Sequence, residues 1–580
     1  MRRIYVLTVF LLLSSASVGQ CALHDPQMHY SFEPLIVADK MRLLVTLEFQ
    51  GGVSGKAKLE LPSEWAGQKQ VEKSITQIRV LSEGTTITNT ALPFEKELHF
   101  RSGATVRVSY ILEKDWHGAL DSDTRFRADL SPTYFHIIGI TSLVHPKIND
   151  SCLVNVNFDW QRLPMGWSLA TSFGTDDRRQ SFHGSWRDAV NSLFVGGDYR
   201  IYRTEISGNV LNFAIRGKWN FTDEEWVSSV SKIIEFERTF WHDNGFPYFL
   251  VALTPFDQDH GSTGGTALTS AFMMHLSRLD GLTTTTLETL AHEAFHGWNP
   301  HRIGTRQGSG YGDSWFSEGF THYYQDVILF RTGLLSFPEY VTAFDKAVGD
   351  YYVKEGTNVS LRDFIRLHSA DTAVLDQLDE RRGAVIAAWL DTTIRTESGN
   401  KWSLDNLMFD LANQNANYQH THNGKPMVLT NKRIFRMASK YLRRDSGKQL
   451  RKYVEQGGEI PIPETALGPC VHSNIEKTSK FDLGFDRRSV KSEDKIVFGV
   501  EAGSEAWKAG LRDGQRLVGW SIHNGDASKE VRLTIQTPDG EHVLRYYPHG
   551  ADISIQRFTL DSGDYSAHPE LCSAELHSPP

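Results

Sequence analysis

Two histidines and two glutamates in one stretch of the chain have the types and spacing for hydrolytic chemistry. Residues 292–296 read His-Glu-Ala-Phe-His. On an α-helix, positions four apart share a face one turn along the axis. His292 and His296 can therefore aim two imidazoles at one point. That arrangement suits Zn²⁺, which takes neutral imidazole nitrogens at about 2.0–2.1 Å in a tetrahedron. A catalytic zinc also needs a third protein ligand and an open corner for water. Glu318 is the candidate, the one carboxylate in Trp315-Phe316-Ser317-Glu318-Gly319-Phe320. An acid on an otherwise apolar helix is costly to bury unless it is paired or bound to metal. Glu293 points about 100° around the helix from His292. It is placed to take a proton from a metal-bound water rather than to ligate. One zinc per chain is expected.

Rigid helices must carry these groups. The threonines of 283–286 offer an N-cap, and Thr285 with Glu288 reads as a capping box. Leu287, Leu290, Ala291, Ala294 and Phe295 recur at helical spacing, and Gly297 and Pro300 stop the run. Asp313 or Ser314 can cap the second helix, which Phe316, Phe320, Tyr323, Val327 and Ile328 can bury. His260, His275, His301 and His322 read as structural or surface groups, and Tyr323 and Tyr324 as core.

With those residues in view, 289–334 resembles the glycyl aminopeptidase family of zinc peptidases, which are thermolysin-like gluzincins. HEAFHGWNPHRI (292–303) and WFSEGFTHYYQDVILFRTGLLS (315–336) carry the resemblance. GAVIAAWLDTTIR (383–395) and LPMGWSLATSFG (163–174) add to it more loosely. The resemblance extends over most of the chain after residue 25. It implies that His292, His296 and Glu318 hold the zinc, that Glu293 is the general base, and that peptides are the substrates.

Two segments depart from the family pattern. Relatives acting as aminopeptidases place a Gly-Gly-Leu-Glu-type segment beside the zinc, its carboxylate holding the substrate's amino group. Here the segment is Gly264-Gly265-Thr266-Ala267, and Ala267 stands at the carboxylate position. A charged hydrogen bond of this kind is worth about 1.5–3 kcal/mol. Asp257 or Asp259 could substitute. Relatives also carry a tyrosine that donates to the developing oxyanion. Here Asp379-Glu380-Arg381-Arg382-Gly383 puts Glu380 in its place, with Arg381 or Arg382 as electrophilic replacements. Losing one oxyanion donor typically costs about 10²–10³ in turnover. These departures leave open an alternative, a catalytically altered or inactive scaffold that binds peptides.

The chain of 580 residues is long enough for several domains, and its 40 % hydrophobic and 23 % charged residues are ordinary for a globular protein. A net charge of −9 with no basic stripe gives no footprint for nucleic acid. Residues 1–19 read as a secretory signal: Arg2 and Arg3 precede an apolar run from Ile4 to Leu13, then small residues. Gln20 before Cys21 argues against a lipid anchor. No later apolar run reaches the roughly 18 residues that span a bilayer. The expectation is an exported, periplasmic or secreted protein. Cys21, Cys152, Cys470 and Cys572 allow three pairings, of which Cys470 with Cys572 would bracket the last domain; free buried thiols are the other reading.

The expected fold is multidomain α+β. Residues 25–210 read as an N-terminal β-sandwich or saddle domain, with strands such as Met41–Phe49, Val106–Leu112 and Leu153–Phe158. Residues 218–455 read as a mainly helical, thermolysin-like peptidase domain with a short strand at Phe249–Leu253 and a helix at Arg382–Thr396. Residues 475–555 resemble a PDZ domain, whose Leu483-Gly484-Phe485 loop would offer backbone N–H groups to the carboxylate of a C-terminal peptide ligand.

Overall fold

The computed structural model describes residues 26–577 except 119, 122–123, 246–247, 257–262, 280, 307–311, 354–355, 371–376, 423, 492–493 and 524. The signal-like segment, Cys21, Asp257, Asp259 and His260 lie outside the described residues. The chain divides into two compact units, 1–227 with 244–281, and 228–243 with 282–580.

The first unit is built from β-sheets. A six-stranded sheet is assembled around the hairpin of Gln27–Val37 and Lys40–Gln50, with Leu153–Trp160 added parallel to the first strand. Alternation drives it: Tyr30, Phe32, Leu43, Val45, Leu47, Val156 and Phe158 are all buried. The aromatic pairs Phe32–Trp160 and Tyr30–Phe158 stack at 4.3 and 5.8 Å between ring centroids. A further five-stranded sheet has the order Arg200–Ile206, Asn209–Ile215, Tyr248–Phe256, Ala271–Ser277, Thr263–Leu268. Its central strand Tyr248–Phe256 pairs parallel on both sides. Strands buried on both faces become continuous apolar runs, as Leu250–Leu253 shows. This sheet extends the β-rich unit beyond residue 210, because Asn209–Ile215 joins the later strands by direct pairing.

The second unit is largely helical. After the two motif helices come Phe337–Val353, Leu361–Ala370, Leu378–Ser398, Leu404–Thr421, Asn431–Ala438 and Arg444–Gln456. The helix expected at Arg382–Thr396 begins four residues earlier. No helix among the described residues is long and apolar enough to cross a membrane. Toward the C-terminus, Val471–Phe481 pairs antiparallel with His549–Leu560. Arg516–Ser521, Val531–Thr537 and Gly540–Tyr546 form a three-stranded sheet around Leu511, Val531 and Leu533. A disulfide joins Cys470 to Cys572, and Cys152 is disulfide-bonded as well, so no described cysteine is a free thiol.

The Leu483-Gly484-Phe485 segment is tied into its own local core. Leu483 and Phe485 are buried in the local core. The Gly484 N–H already donates to Asp482 Oδ1 at 2.7 Å. The chain then turns into a short helix, Arg488–Lys491, because Asp486 Oδ1 accepts from the Arg488 N–H at 2.9 Å. No strand is formed at residues 486–491.

Candidate metal centre

The motif helix spans Thr284–Phe295. Its cap is Thr283, not Thr285: the extended backbone of Thr283 lets its hydroxyl accept from the Thr286 N–H at 3.3 Å. Leu287, Leu290, Ala291 and Phe295 face the core. Phe295 stacks on Tyr324 of the next helix, Ser314–Arg331, at 4.9 Å, and both rings meet Phe240. This aromatic layer fixes one helix against the other. Asp313 precedes the second helix without capping it; its carboxylate accepts from Arg306 Nε at 3.3 Å instead.

The packing brings three donors together. His296 Nε2 lies 3.1 Å from His292 Nε2 and 3.1 Å from Glu318 Oε2, and His292 Nε2 is 3.7 Å from the same oxygen. Ligands about 2.0–2.1 Å from a tetrahedral zinc stand roughly 3.3–3.4 Å apart, so the three atoms have the spread such an ion requires. The outer nitrogens set the tautomers. His292 Nδ1 donates to Gln325 Oε1 at 3.2 Å, and His296 Nδ1 donates to the Asn299 carbonyl at 2.8 Å. Each Nε2 then presents a lone pair inward. Two lone pairs and a carboxylate oxygen this close repel unless a cation lies among them. A proton answers that demand when no metal does. Burial disfavours a charged His296 ring, but the adjacent Glu318 carboxylate outweighs it and lifts the pKa to about 9. Burial likewise opposes the Glu318 anion, yet His296 and His292 hold it well below the usual carboxylate range. The donor set fits zinc.

Asn299 ties the site together, although its sequence context gave no hint of it. While its carbonyl holds His296, its Nδ2 donates to the carbonyls of Phe316 and Ser317 and to Thr321 Oγ1, at 3.1–3.2 Å. The turn after the motif helix is thereby locked to the helix carrying Glu318. Gln325 could have been found by spacing: it follows Glu318 by seven residues, two turns up the same face. Arg306 is a further neighbour, its Nη1 3.1 Å from Glu318 Oε1. Glu293 is partly exposed on the motif helix and close enough that its charge acts on His296.

A third helix, Leu378–Ser398, completes the surroundings. It crosses the Glu318 helix where Gly319 meets Gly383. A Cβ on Gly319 would lie 2.3 Å from Gly383 Cα, and one on Gly383 would lie 1.9 Å from the Trp315 carbonyl oxygen. Only paired glycines permit that approach. It brings Glu380, one turn before Gly383, to His322, one turn after Glu318. Glu380 Oε1 is 2.9 Å from His322 Nδ1. One ligand atom each of His292, His322 and Glu380 falls within 4.8 Å of the others. Burial alone would lower the His322 pKa and raise that of Glu380, but their mutual hydrogen bond reverses both shifts. His322, read from sequence as a structural or surface group, thus stands beside the centre.

The arginines expected as electrophiles are elsewhere. Arg381 pairs with Asp350 at 2.8 Å, and Arg382 is buried with Nη2 donating to the carbonyls of Gly356, Thr357 and Val359. Successive helical positions point about 100° apart, so placing Glu380 toward the centre turns both arginines away. Gly264, Gly265 and Ala267 lie on Thr263–Leu268 in the first unit, opposite His275, Met274 and Phe272. A Cβ on Gly264 would meet Arg125 Nη1 at 2.9 Å.

A sequence profile of the M61 glycyl aminopeptidase family matches residues 285–364, which include the three donors, Glu293 and His322. The chain is similar to the crystal structure of an aminopeptidase N family protein from Idiomarina loihiensis, at 17 % identity and a TM-score of 0.72 over 95 % of this chain and all of that one. It is also similar to an M1 zinc metallopeptidase from Deinococcus radiodurans, at 14 % identity and a TM-score of 0.47 over 77 % of this chain and 96 % of that one. No curated protein sequence matches significantly. The family match over the motif helices, together with the site, supports a zinc peptidase of aminopeptidase-like character, and the Idiomarina structure shares the fold.

Proposed function

We propose that the chain is an exported zinc-dependent peptidase that hydrolyses peptide bonds with Glu293 as general base and one zinc per chain. The observation that carries the reading is the convergence of His292 Nε2, His296 Nε2 and Glu318 Oε2 within 3.1–3.7 Å, each imidazole anchored through Nδ1. The N-terminal Arg2-Arg3 and apolar run support export.

His292, His296 and Glu318 would hold the ion. When bound, zinc supplies an acidified water and polarises the substrate carbonyl. The chain's own groups do the rest. Gln325 and the Asn299 carbonyl keep the imidazoles in the ligating tautomer. Arg306 pairs with the other oxygen of the Glu318 carboxylate. Glu293 takes a proton from the attacking water and delivers it to the leaving amine, a shuttle that typically contributes about 10²–10⁴ in rate. Substrates are peptides. The test is hydrolysis of a mixed peptide library by the purified chain, its loss on chelation and its return with added zinc. Activity that survives complete removal of metal contradicts the reading.

A further inference from the structure

We propose that His322 is the hydrogen-bond donor to the carbonyl oxygen of the scissile peptide, and that Glu380 is its positioning residue. This rests on the peptidase reading above and names the group that replaces the missing tyrosine.

The geometry leads there in three steps. His322 follows Glu318 by four residues on one continuous helix, so it rises from the same face as the metal ligand one turn further on. Its ring lies on the His292 side of the centre, with centroids 6.3 Å apart. Second, the ring is held at one end. Glu380 Oε1 is 2.9 Å from Nδ1, and a carboxylate partner there fixes both the plane of the ring and a proton on Nδ1. Nε2 has no hydrogen-bond partner among the described residues, and the side chain keeps 27 % of its exposure. A half-open imidazole anchored at Nδ1 with Nε2 free is built to meet a ligand. Third, the alternatives are spent: Arg381 and Arg382 are turned away onto Asp350 and backbone carbonyls.

The pair also explains why an acid can stand at position 380. A carboxylate cannot itself donate to an oxygen gaining negative charge. It can hold an imidazole that carries hydrogen on both nitrogens, and so turn Nε2 into a charged donor, stronger than a neutral hydroxyl. Helix crossing at Gly319 and Gly383 sets the distance between the two. Such preorganised donors gain most where charge develops during reaction, because the bound ground state carries little of it.

The test uses the full-length, zinc-loaded chain. Turnover is measured on a peptide that it cleaves. Binding is measured for a phosphinic peptide, whose tetrahedral anion resembles the attacked carbonyl, and for a plain peptide of the same sequence. His322→Ala and the size-matched His322→Gln are expected to keep zinc, to lose about 10²–10³ in kcat and to change KM by less than about threefold. The phosphinic peptide should weaken by at least about 30-fold while the plain peptide stays within about threefold. Glu380→Gln should shift the same quantities in the same direction by less, and Glu380→Asp, which retains the charge, should recover part of kcat. Equal weakening of both ligands with zinc retained, or kcat within about threefold of the parent, overturns the assignment. If the parent chain cleaves nothing, the peptidase reading fails, and the two binding constants still decide whether His322 recognises the tetrahedral anion.

Discussion

Two pairs of histidines in this chain show how a candidate ligand differs from a core residue. In the second unit, His292 and His296 each donate from Nδ1, to Gln325 and to the Asn299 carbonyl, and turn Nε2 toward a carboxylate. In the first unit, His136 and His275 are fully buried, with ring centroids 5.1 Å apart. There His136 Nε2 lies against the sulfur of Met273, while His136 Nδ1 and both nitrogens of His275 have no hydrogen-bond partner among the described residues. Among the described residues no carboxylate pairs directly with either ring, and the Asp129 charge that acts on His136 does not outweigh burial. The electrostatics follow. Burial pushes the His136 pKa down to about 4 and that of His275 well below its usual range. Glu318 overrides burial and lifts His296 to about 9. Burial is common to both pairs; anchored tautomers and a converging anion belong to one.

That contrast can be broken or sharpened by substitution. The largest effect is expected from His296→Ala, which should abolish stoichiometric zinc and lower kcat/KM by about a thousand-fold or more; metal analysis with peptide assays checks both. Next comes Gly383→Val. Its side chain would enter the contact with Gly319 and the Trp315 carbonyl, so stability should fall by about 3 kcal/mol in urea unfolding, with Glu380 displaced. Asn299→Ala and Gln325→Ala remove the anchors but leave the ligands. Zinc affinity should weaken by about 10–100-fold in competition with a chelator.

The smallest effect is expected in the first unit. His136→Phe should leave zinc content unchanged and alter stability by less than about 1 kcal/mol at pH 7, since an apolar ring replaces a polar one whose side-chain partner is a weakly accepting thioether. Its signature is in pH. A folded pKa near 4 against an unfolded value of 6.5 means that the unfolded chain binds more protons between those limits. Parent stability therefore drops as pH falls from 6.5 toward 4, and His136→Phe should flatten that slope in thermal melts.

Much of the centre was legible in the sequence because helical spacing is a strong geometric constraint. His292, His296 and Glu293 needed only the period of one helix, and Glu318 needed the cost of an acid among aromatics. What was not legible depended on contacts between helices. Asn299 sits in a turn whose carbonyl acts as the anchor, and a carbonyl has no residue type to read. Glu380 was placed in a segment read as preceding a helix that starts at Arg382, yet it lies in the first turn of Leu378–Ser398. That turn, with the Gly319–Gly383 crossing, carries it to His322 and sends the two arginines outward. The spacing of His322 from Glu318 was visible, but a lone histidine on an apolar helix face is commonly a core group. The β-rich start was legible from alternation at Met41–Phe49. Its extension through Tyr248–Ser277 was not, because parallel pairing between distant segments leaves no periodic trace.

The most direct measurement compares the parent chain with Glu293→Gln, each loaded with zinc and assayed on the same peptides. One zinc per chain is expected in both, with a loss of about 10²–10⁴ in kcat for the variant. Undiminished hydrolysis by zinc-loaded Glu293→Gln would contradict Glu293 as the general base.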